Sequence, residues 1–372
     1  MTKLGVGIIG CGNISSAYLR LAPMFAGLEM RAVADLNSAA AEARAEEFSV
    51  SARSVEELLG SDDIDVIVNL TIPEAHYPVT RQILEAGKHA YSEKPLVLTM
   101  DEGEALRTLA TEQNLRIGSA PDTFLGGAHQ LARRAIDDGT VGRITAGTAH
   151  VMSRGMEHWH PNPDFFFKPG AGPMLDIGPY YVTNLIQLLG PVKRVAALTS
   201  AAFAERTITS EPRAGEKIPV ETPTNIHALL DFAGGASVTI STSWDVHAHR
   251  HGHMELYGTD GSLFLPDPNF FGGTVEFGGP GGEISALDGW DHPFGIPNQD
   301  TRANYRVAGL ADMAAALATG RAHRCSLDLA LHAVDVMTSV LRSGESGSFV
   351  TLSTTCERPA PLGPEDARAL LA

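Results

Sequence analysis

Two side chains in the segment 170–180 have the types and the spacing that acid–base chemistry requires. Asp176 and Tyr180 are four residues apart, so they share one face of a helix if that helix begins near Leu175. Pro179 fits such a helix only in the first turn, where backbone N–H groups lack partners. There the positive end of the helix dipole favours the anionic forms of both side chains. An ionised phenol is a base for an alcohol.

A glycine-rich turn near the start of the chain points to a second ligand. The run Gly10-Cys11-Gly12-Asn13-Ile14-Ser15 directly follows a short apolar strand predicted at 4–9. Gly10 permits a tight turn into a helix, Gly12 lets a diphosphate approach the backbone, and the helix N-terminus offers unpaired N–H groups. Ser15 stands where the dinucleotide-binding fingerprint has its third glycine, and it is small enough for helix–strand packing.

Asp35 indicates which dinucleotide is bound. It ends a strand predicted at 30–34, where a carboxylate accepts hydrogen bonds from both ribose hydroxyls and repels a 2′-phosphate. No arginine follows it, since the next residues are Leu36 and Asn37. We therefore expect NAD, with NADP less favoured. Asp35 could instead cap the helix that starts near Ser38.

Strands and helices alternate over the first 120 residues. Further strands are predicted at 65–70, 88–91 and 115–119, with helices at 13–21, 77–86 and 101–113. This alternation predicts an α/β domain with a doubly wound parallel sheet of the Rossmann type at 1–121. Ligands bind such sheets at the carboxyl ends of the strands, where the glycine turn, Thr71-Ile72-Pro73 and Glu93-Lys94-Pro95 all fall.

The pattern changes after Asp122, and the second domain is predicted to span 122–372. Helices at 126–137, 305–318 and 326–343 accompany strands that follow one another without intervening helices. These strands are predicted at 144–151, 192–198, 227–232, 237–244, 253–258, 262–265 and 274–277. Clustered strands of this kind indicate an α+β domain with an open, mostly antiparallel sheet.

Together, the glycine turn, Glu93-Lys94-Pro95 and the segment 170–180 resemble the Gfo/Idh/MocA family of nicotinamide-dependent sugar and polyol oxidoreductases. The resemblance implies the same two-domain plan, with Asp176 and position 180 flanking the reacting hydroxyl and Lys94 approaching it from the Rossmann side. It also implies that His76 occupies the position of a common family histidine, which we interpret as structural rather than catalytic. The residues predicted to contact the cofactor are Gly10, Gly12, Asn13, Ile14, Asp35, Thr71, Ile72, His76, Glu93 and Lys94.

Position 180 is usually a histidine in the family and is a tyrosine here, as in the glucose–fructose oxidoreductase branch. Free tyrosine titrates near pH 10 and free histidine near about 6.5, so the substitution changes the chemistry. A neighbouring lysine and a helix N-terminus both favour use of Tyr180 as the base. In the alternative, Tyr180 only hydrogen-bonds the substrate and Lys94 takes the proton. The residues alone leave this choice open.

An aromatic loop and a run of histidines are two further candidate sites. The loop runs from Glu157 to Phe167; we expect its phenylalanines to anchor it and Trp159 or His160 to reach a sugar ring. The predicted substrate contacts are thus Lys94, Trp159, His160, Asp176 and Tyr180. The histidines are His247, His249, His251 and His253, whose alternation would place them on one strand face. Carboxylates and cysteines with ligand spacing are missing nearby, so we expect no metal there, but a subunit contact or the substrate cleft.

Composition narrows the classes of function. The chain of 372 residues carries a net charge of −16, which disfavours nucleic acid and anionic membranes as partners. Three scattered cysteines support neither a disulfide framework nor a zinc knuckle. A first strand near Leu4 leaves no room for a signal peptide, so we expect a cytoplasmic location. A homodimer or homotetramer through the C-terminal sheet is also expected.

Three functions fit these features. The favoured one is an NAD-dependent dehydrogenase or reductase that acts on a ring hydroxyl or ketone of a sugar, cyclitol or glycoside. The second is a glycosidase that holds NAD and uses transient oxidation, which would turn over without net NADH. The third is a non-catalytic NAD-binding regulator, which Lys94, Asp176 and Tyr180 together argue against, because a sensor needs no proton relay.

Overall fold

A computed structural model describes residues 3–372. Met1 and Thr2, which the predicted range 1–121 includes, lie outside the described residues. The first part alternates β1 (Leu4–Ile9), α1 (Asn13–Leu21), β2 (Leu28–Ala34), α2 (Ser38–Phe48), β3 (Ser51–Ala52), α3 (Val55–Leu59), β4 (Val66–Asn69), α4 (Pro73–Glu85), β5 (His89–Ser92), α5 (Met100–Glu112) and β6 (Ile117–Ser119). All six strands are parallel, in the order β3-β2-β1-β4-β5-β6. The predicted doubly wound Rossmann sheet is confirmed.

The sequence accounts for the central strands and for several helix ends. Every residue of β4 is buried, as expected of an apolar strand covered on both faces. Capping boxes begin α3 at Ser54 and α5 at Thr99, where Glu57 and Glu102 return a hydrogen bond to the cap. Because β1, β4 and β5 pair in parallel, their carboxyl ends lie at one edge of the sheet.

The second part is built around a large mixed sheet. Its elements are α6 (Gly127–Asp137), β7 (Ile144–Met152), α7 (Pro173–Asp176), α8 (Gly178–Leu189), β8 (Val192–Ser200), β9 (Glu205–Thr207), β10 (Lys217–Pro219), β11 (Asn225–Phe232), β12 (Ser237–Ser243), β13 (Met254–Gly258), β14 (Ser262–Leu265), β15 (Glu276–Gly278), β16 (Ile284–Ala286), α9 (Ala308–Thr319), α10 (Leu327–Ser346), β17 (Val350–Thr351) and α11 (Pro364–Leu370). Nine strands run in the order β16-β15-β14-β13-β7-β12-β11-β8-β17, and β9 pairs with β10 separately. Only the β7–β12 pair is parallel, which confirms the mostly antiparallel sheet.

The last helices join the two sheets. Helix α9 packs on β6, and α10 packs on α5, α8 and β8. A β-bridge between Gly118 and Ser326 fastens the start of α10 to the edge of the parallel sheet. The boundary at 121–122 stays a prediction. Within residues 3–372, no helix is both long and apolar enough to cross a membrane.

Some predicted boundaries are wrong for identifiable reasons. Helix α4 begins at Pro73 rather than at residue 77, because proline is well accommodated in a first turn. Helix α9 begins at Ala308 rather than at residue 305, because Val307 has a φ of +99° and cannot be helical.

Candidate active site

Lys94 and Asp176 meet at the carboxyl end of β5. The Lys94 ammonium donates to the Asp176 carbonyl at 2.6 Å and to its carboxylate Oδ1 at 3.0 Å. Both side chains are mostly buried, at 16% and 20% exposure. Burial lowers the pKa of Lys94, but the charges of Asp176, Tyr180 and Glu93 outweigh burial and hold this pKa well above its usual value. Lys94 is therefore an ammonium ion across the physiological range.

Tyr180 lies beside this pair, but not on the helix that the sequence predicts. Asp176 ends α7, and Tyr180 lies in the first turn of α8, after a break at Ile177. The prediction of one continuous helix is wrong; Pro179 belongs to the first turn of α8, where it has no N–H to satisfy. The Lys94 Nζ nevertheless lies 5.3 Å from the centroid of the buried Tyr180 ring. The structure thus brings together the three predicted catalytic residues.

Arg306 is a second cation at this ring, and sequence reasoning missed it. Its guanidinium carbon lies 6.0 Å from the Tyr180 centroid. It donates to the carbonyl and side-chain oxygens of Asn269 at 3.1 and 2.8 Å, and to Asn304 Oδ1 at 3.3 Å. Burial lowers the pKa of Arg306, but Tyr180, Asp122 and Glu93 raise it, and the net shift is upward. No local motif marks this arginine, and both Tyr180 and Asn269 are distant from it in sequence.

Two carboxylates lie behind the site. Glu93, predicted to contact the cofactor, accepts from the Tyr18 hydroxyl at 3.0 Å and from the Lys94 backbone N–H at 3.1 Å. Asp122 is fully buried and accepts the backbone N–H groups of Val307 and Gly309, both at 3.0 Å. Burial raises the pKa of Asp122 to about 6, against the opposing effect of these hydrogen bonds. Asp122 thereby fixes the backbone next to Arg306.

The glycine turn after β1 fits a dinucleotide diphosphate. Gly10 has a φ of +105°, and a Cβ there would lie 2.6 Å from the Leu70 carbonyl oxygen, so only glycine fits. A Cβ on Gly12 would meet nothing within 4 Å, which leaves that side of the turn open to a ligand. Ser15 is fully buried and donates to the Gly12 carbonyl at 2.6 Å, so serine serves in the third position.

Asp35 braces this turn. Its Oδ2 accepts the Cys11 N–H at 2.7 Å, and its Oδ1 accepts the Asn37 N–H at 2.8 Å. Each carboxylate oxygen keeps a lone pair for a ribose hydroxyl. Leu36, directly after Asp35, is 99% exposed, and neither Leu36 nor Asn37 carries a positive charge. Asn13 and Ile14 open α1 at the same place.

The loop after β4 is tied to the loop after β5 through His76. The buried imidazole lies 2.6 Å from the Pro95 carbonyl oxygen and 3.1 Å from that of Thr71. Burial lowers the pKa of His76, which keeps the ring neutral. Thr71 itself donates to Asn69 at 2.7 Å, and Ile72 is 65% exposed. These contacts agree with a structural interpretation of His76; cofactor contacts by His76, Thr71 and Ile72 stay predictions.

The aromatic loop divides into an anchored part and an exposed part. Phe166 and Phe167 are buried against Trp244, with ring centroids 5.9 and 5.5 Å away, and they form a small core with Met156, Ile208 and Ile218. Phe165 is 43% exposed, so the expectation that all three phenylalanines anchor the loop is wrong for it. Trp159 is 57% exposed and packs edge-on against His160 at 5.3 Å. Substrate contact by this pair stays a prediction.

A buried ion cluster that the sequence did not reveal supports the same loop. The Arg206 guanidinium pairs with Glu157 at 2.8 Å and also with Asp245. All three side chains are nearly inaccessible. Because removing one member would leave a buried charge unpaired, the cluster fixes the start of the loop against the sheet.

The run of histidines does not share one strand face. His247, His249 and His251 lie in the loop before β13 and are exposed, with His251 stacked on His150 of β7 at 4.0 Å. His253 instead lies 3.0 Å from the Tyr181 hydroxyl through its Nδ1. Across the described residues, no group of three or more His, Cys, Asp or Glu side chains is arranged to hold a metal ion.

Comparison with known proteins identifies the family to which this chain belongs. Residues 4–120 match the profile described as "Oxidoreductase family, NAD-binding Rossmann fold", and residues 129–264 match "GFO/IDH/MocA C-terminal domain". A dTDP-3,4-didehydro-2,6-dideoxy-alpha-D-glucose 3-reductase of Saccharopolyspora spinosa is 30% identical over 267 residues, which cover 70% of this chain and 74% of the relative. The chain belongs to the GFO/IDH/MocA oxidoreductase family.

The chain is also similar in sequence and in fold to other oxidoreductases. The levoglucosan dehydrogenase of Pseudarthrobacter phenanthrenivorans is 28% identical over 290 residues, which cover 71% of this chain and 73% of that enzyme. A solved structure of levoglucosan dehydrogenase in complex with NADH and L-sorbose superposes with a TM-score of 0.79 at 22% identity, covering 95% of this chain and 100% of that one. An NAD-binding oxidoreductase from Klebsiella pneumoniae reaches 0.82 at 21% identity, with coverage of 95% and 100%. At these identities the structures establish the shared fold.

Proposed function

We propose that this oxidoreductase transfers a hydride between NAD and a ring hydroxyl or ketone of a sugar, cyclitol or glycoside. The observation that carries the proposal is the Lys94 ammonium, fixed by Asp176 beside the Tyr180 ring where the parallel strands end. Relatives named for sugar substrates, such as levoglucosan dehydrogenase, support the substrate class.

Tyr180 is the base in this proposal, and Lys94 is not. An amine must be neutral to accept a proton, whereas Asp176 holds the pKa of Lys94 far above neutrality. The Lys94 ammonium instead stabilises negative charge on the substrate oxygen and on Tyr180 as the proton moves between them. Asp176 keeps that ammonium in place through two hydrogen bonds.

Oxidation of the hydroxyl removes a proton and a hydride. The hydroxyl proton passes to the Tyr180 oxygen, which must be ionised to take it, as the carbonyl forms. NAD, when bound, would accept the hydride that leaves the same carbon. The turn at Gly10–Ser15, braced by Asp35, is the part of this chain that would hold its diphosphate and ribose. Asp35 and the exposed Leu36 favour NAD over NADP.

We also propose that the chain is cytoplasmic and forms a homodimer or homotetramer through the C-terminal sheet. Support for the assembly comes from Leu198 on β8 and Leu229 on β11, which share the outer sheet face and are 74% and 37% exposed. Light scattering of the wild type and of Leu198→Lys tests the assembly; a monomeric wild type would refute it.

The catalytic proposal is tested by screening sugars, polyols and glycosides for NAD reduction, followed by variants at Tyr180. Tyr180→Phe should lower the oxidation rate by roughly a hundred- to ten-thousand-fold and flatten its rise at alkaline pH. Tyr180→His should keep some activity with a profile moved to lower pH. An unchanged profile in Tyr180→Phe would show that the proton leaves by another route. Glycoside cleavage without net NADH would indicate the glycosidase instead.

A further inference from the structure

Arg306 places a positive charge at the Tyr180 ring without forming a salt bridge within residues 3–372. Its hydrogen-bond acceptors are the neutral oxygens of Asn269 and Asn304. Among residues 3–372 it makes no salt bridge, unlike Lys94, whose charge is shared with Asp176. The charge of Arg306 is therefore not neutralised by direct contact with a carboxylate, although Asp122 and Glu93 act on it from a greater distance.

The backbone holds Arg306 in this position at the expense of local strain. Val307, directly after it, has a φ of +99°, a conformation that β-branched residues rarely adopt. Such a conformation persists only when its surroundings impose it. Here the buried Asp122 carboxylate imposes it, by accepting the N–H groups of both Val307 and Gly309. The guanidinium is therefore directed towards Tyr180 by the fold rather than by chance.

We propose that Arg306 is a positioning residue that lowers the pH at which Tyr180 becomes competent as a base, an inference that rests on the proposed function. It acts together with Lys94, since the Arg306 guanidinium carbon and the Lys94 Nζ lie 6.0 and 5.3 Å from the centroid of the same ring. The charged and titratable groups around Tyr180 are Lys94, Arg306, Asp176, Glu93, Asp122 and Tyr18. Asp176 is paired with Lys94, and Glu93 and Asp122 oppose the two cations.

A neighbouring positive charge favours the ionised form of a phenol. Removing that charge in Arg306→Gln should therefore move the alkaline rise of kcat to higher pH. Arg306→Lys, which keeps the charge but loses the fork to Asn269, should recover at least half of the shift.

The experiment has two readouts and a matched control. The first readout is the pH profile of kcat and KM with NAD and an active sugar or polyol. The second is the ultraviolet difference spectrum of phenolate formation in the free enzyme, with Tyr180→Phe identifying the signal, and it requires no turnover. Arg302→Gln is the control, because it removes a guanidinium of the same loop that stacks on Phe270 at 4.6 Å.

An upward shift of both readouts in Arg306→Gln, absent in Arg302→Gln, supports the role. A rise in KM with an unmoved pH profile and an unmoved phenolate titration would overturn it and assign Arg306 to substrate binding. If Arg306→Gln does not fold, Arg306→Met supplies the same neutral comparison. Failure of the wild type to oxidise any substrate would refute the proposed function, whereas the phenolate titration would still decide the role of Arg306.

Discussion

Asp122→Asn should change how stability depends on pH, because Asp122 is buried without a cationic partner within hydrogen-bonding distance. Its pKa is raised to about 6 from an ordinary value of 3.8, chiefly by burial. Between these values the unfolded chain loses the proton while the folded protein retains it. Stability from this group is therefore complete below about pH 4 and is lost as the pH rises through about 6.

The magnitude follows from the same two values. The interval from 3.8 to about 6, at about 1.4 kcal/mol per pH unit, amounts to about 3 kcal/mol lost by neutral pH. Asparagine has no charge to bury, and its side-chain oxygen still accepts the N–H groups of Val307 and Gly309. The free energy of unfolding of Asp122→Asn, relative to that of the wild type, should rise by about 3 kcal/mol between pH 4 and pH 8.

Urea unfolding at a series of pH values measures this difference, monitored by tryptophan fluorescence and circular dichroism with coincident transitions. Asp312→Asn is the matched control: Asp312 is equally buried but pairs with Arg324 and Arg321. Its loss leaves the buried Arg324 guanidinium with the exposed Asp366 as its remaining carboxylate partner, so this variant should be destabilised at neutral pH. A stability difference for Asp122→Asn that does not vary between pH 4 and pH 8 would refute the assigned cause.

Variants at Asp35 and Leu36 test the cofactor site, and a variant at Lys94 tests the ammonium ion beside Tyr180. Asp35→Ser combined with Leu36→Arg should reverse the preference from NAD to NADP in kcat/KM, while Leu36→Arg alone, at a position 99% exposed, should leave NAD use nearly unchanged. A wild type that prefers NADP would contradict the role of Asp35. Lys94→Ala should lower turnover roughly a hundred- to ten-thousand-fold with NAD affinity, measured by calorimetry, largely intact; loss of NAD affinity alone would reassign Lys94 to the cofactor.

Features encoded by neighbouring residues were predictable from the sequence. The apolar strand at 4–9 and the glycine turn behind it depend on contacts within a short segment, and the structure has both. Glu93-Lys94-Pro95 was correctly placed at a strand end for the same reason. The four-residue spacing of Asp176 and Tyr180 wrongly predicts one helix, because the helix is interrupted at Ile177 and the two residues lie on different helices. The alternation of His247, His249, His251 and His253 likewise wrongly predicts a strand, because these residues lie in a loop.

Features that depend on pairing between distant segments could not be predicted. Arg306 lies beside Tyr180 where Asp122, after the last strand of the parallel sheet, binds the backbone at the start of α9. No spacing rule links these three residues. The choice between Tyr180 and Lys94 as base was open for the same reason, since it depends on where the Lys94 ammonium finds its partners.

One pair of hydrogen bonds in the structure favours Tyr180 over Lys94 as the proposed base. By donating to both the carbonyl and the carboxylate of Asp176, Lys94 gives up the neutral form that a base requires and becomes a fixed positive charge. A fixed positive charge beside a phenol favours ionisation of that phenol. In the proposed mechanism, the contact that keeps Lys94 from acting as the base therefore also places the positive charge that favours Tyr180 in that role.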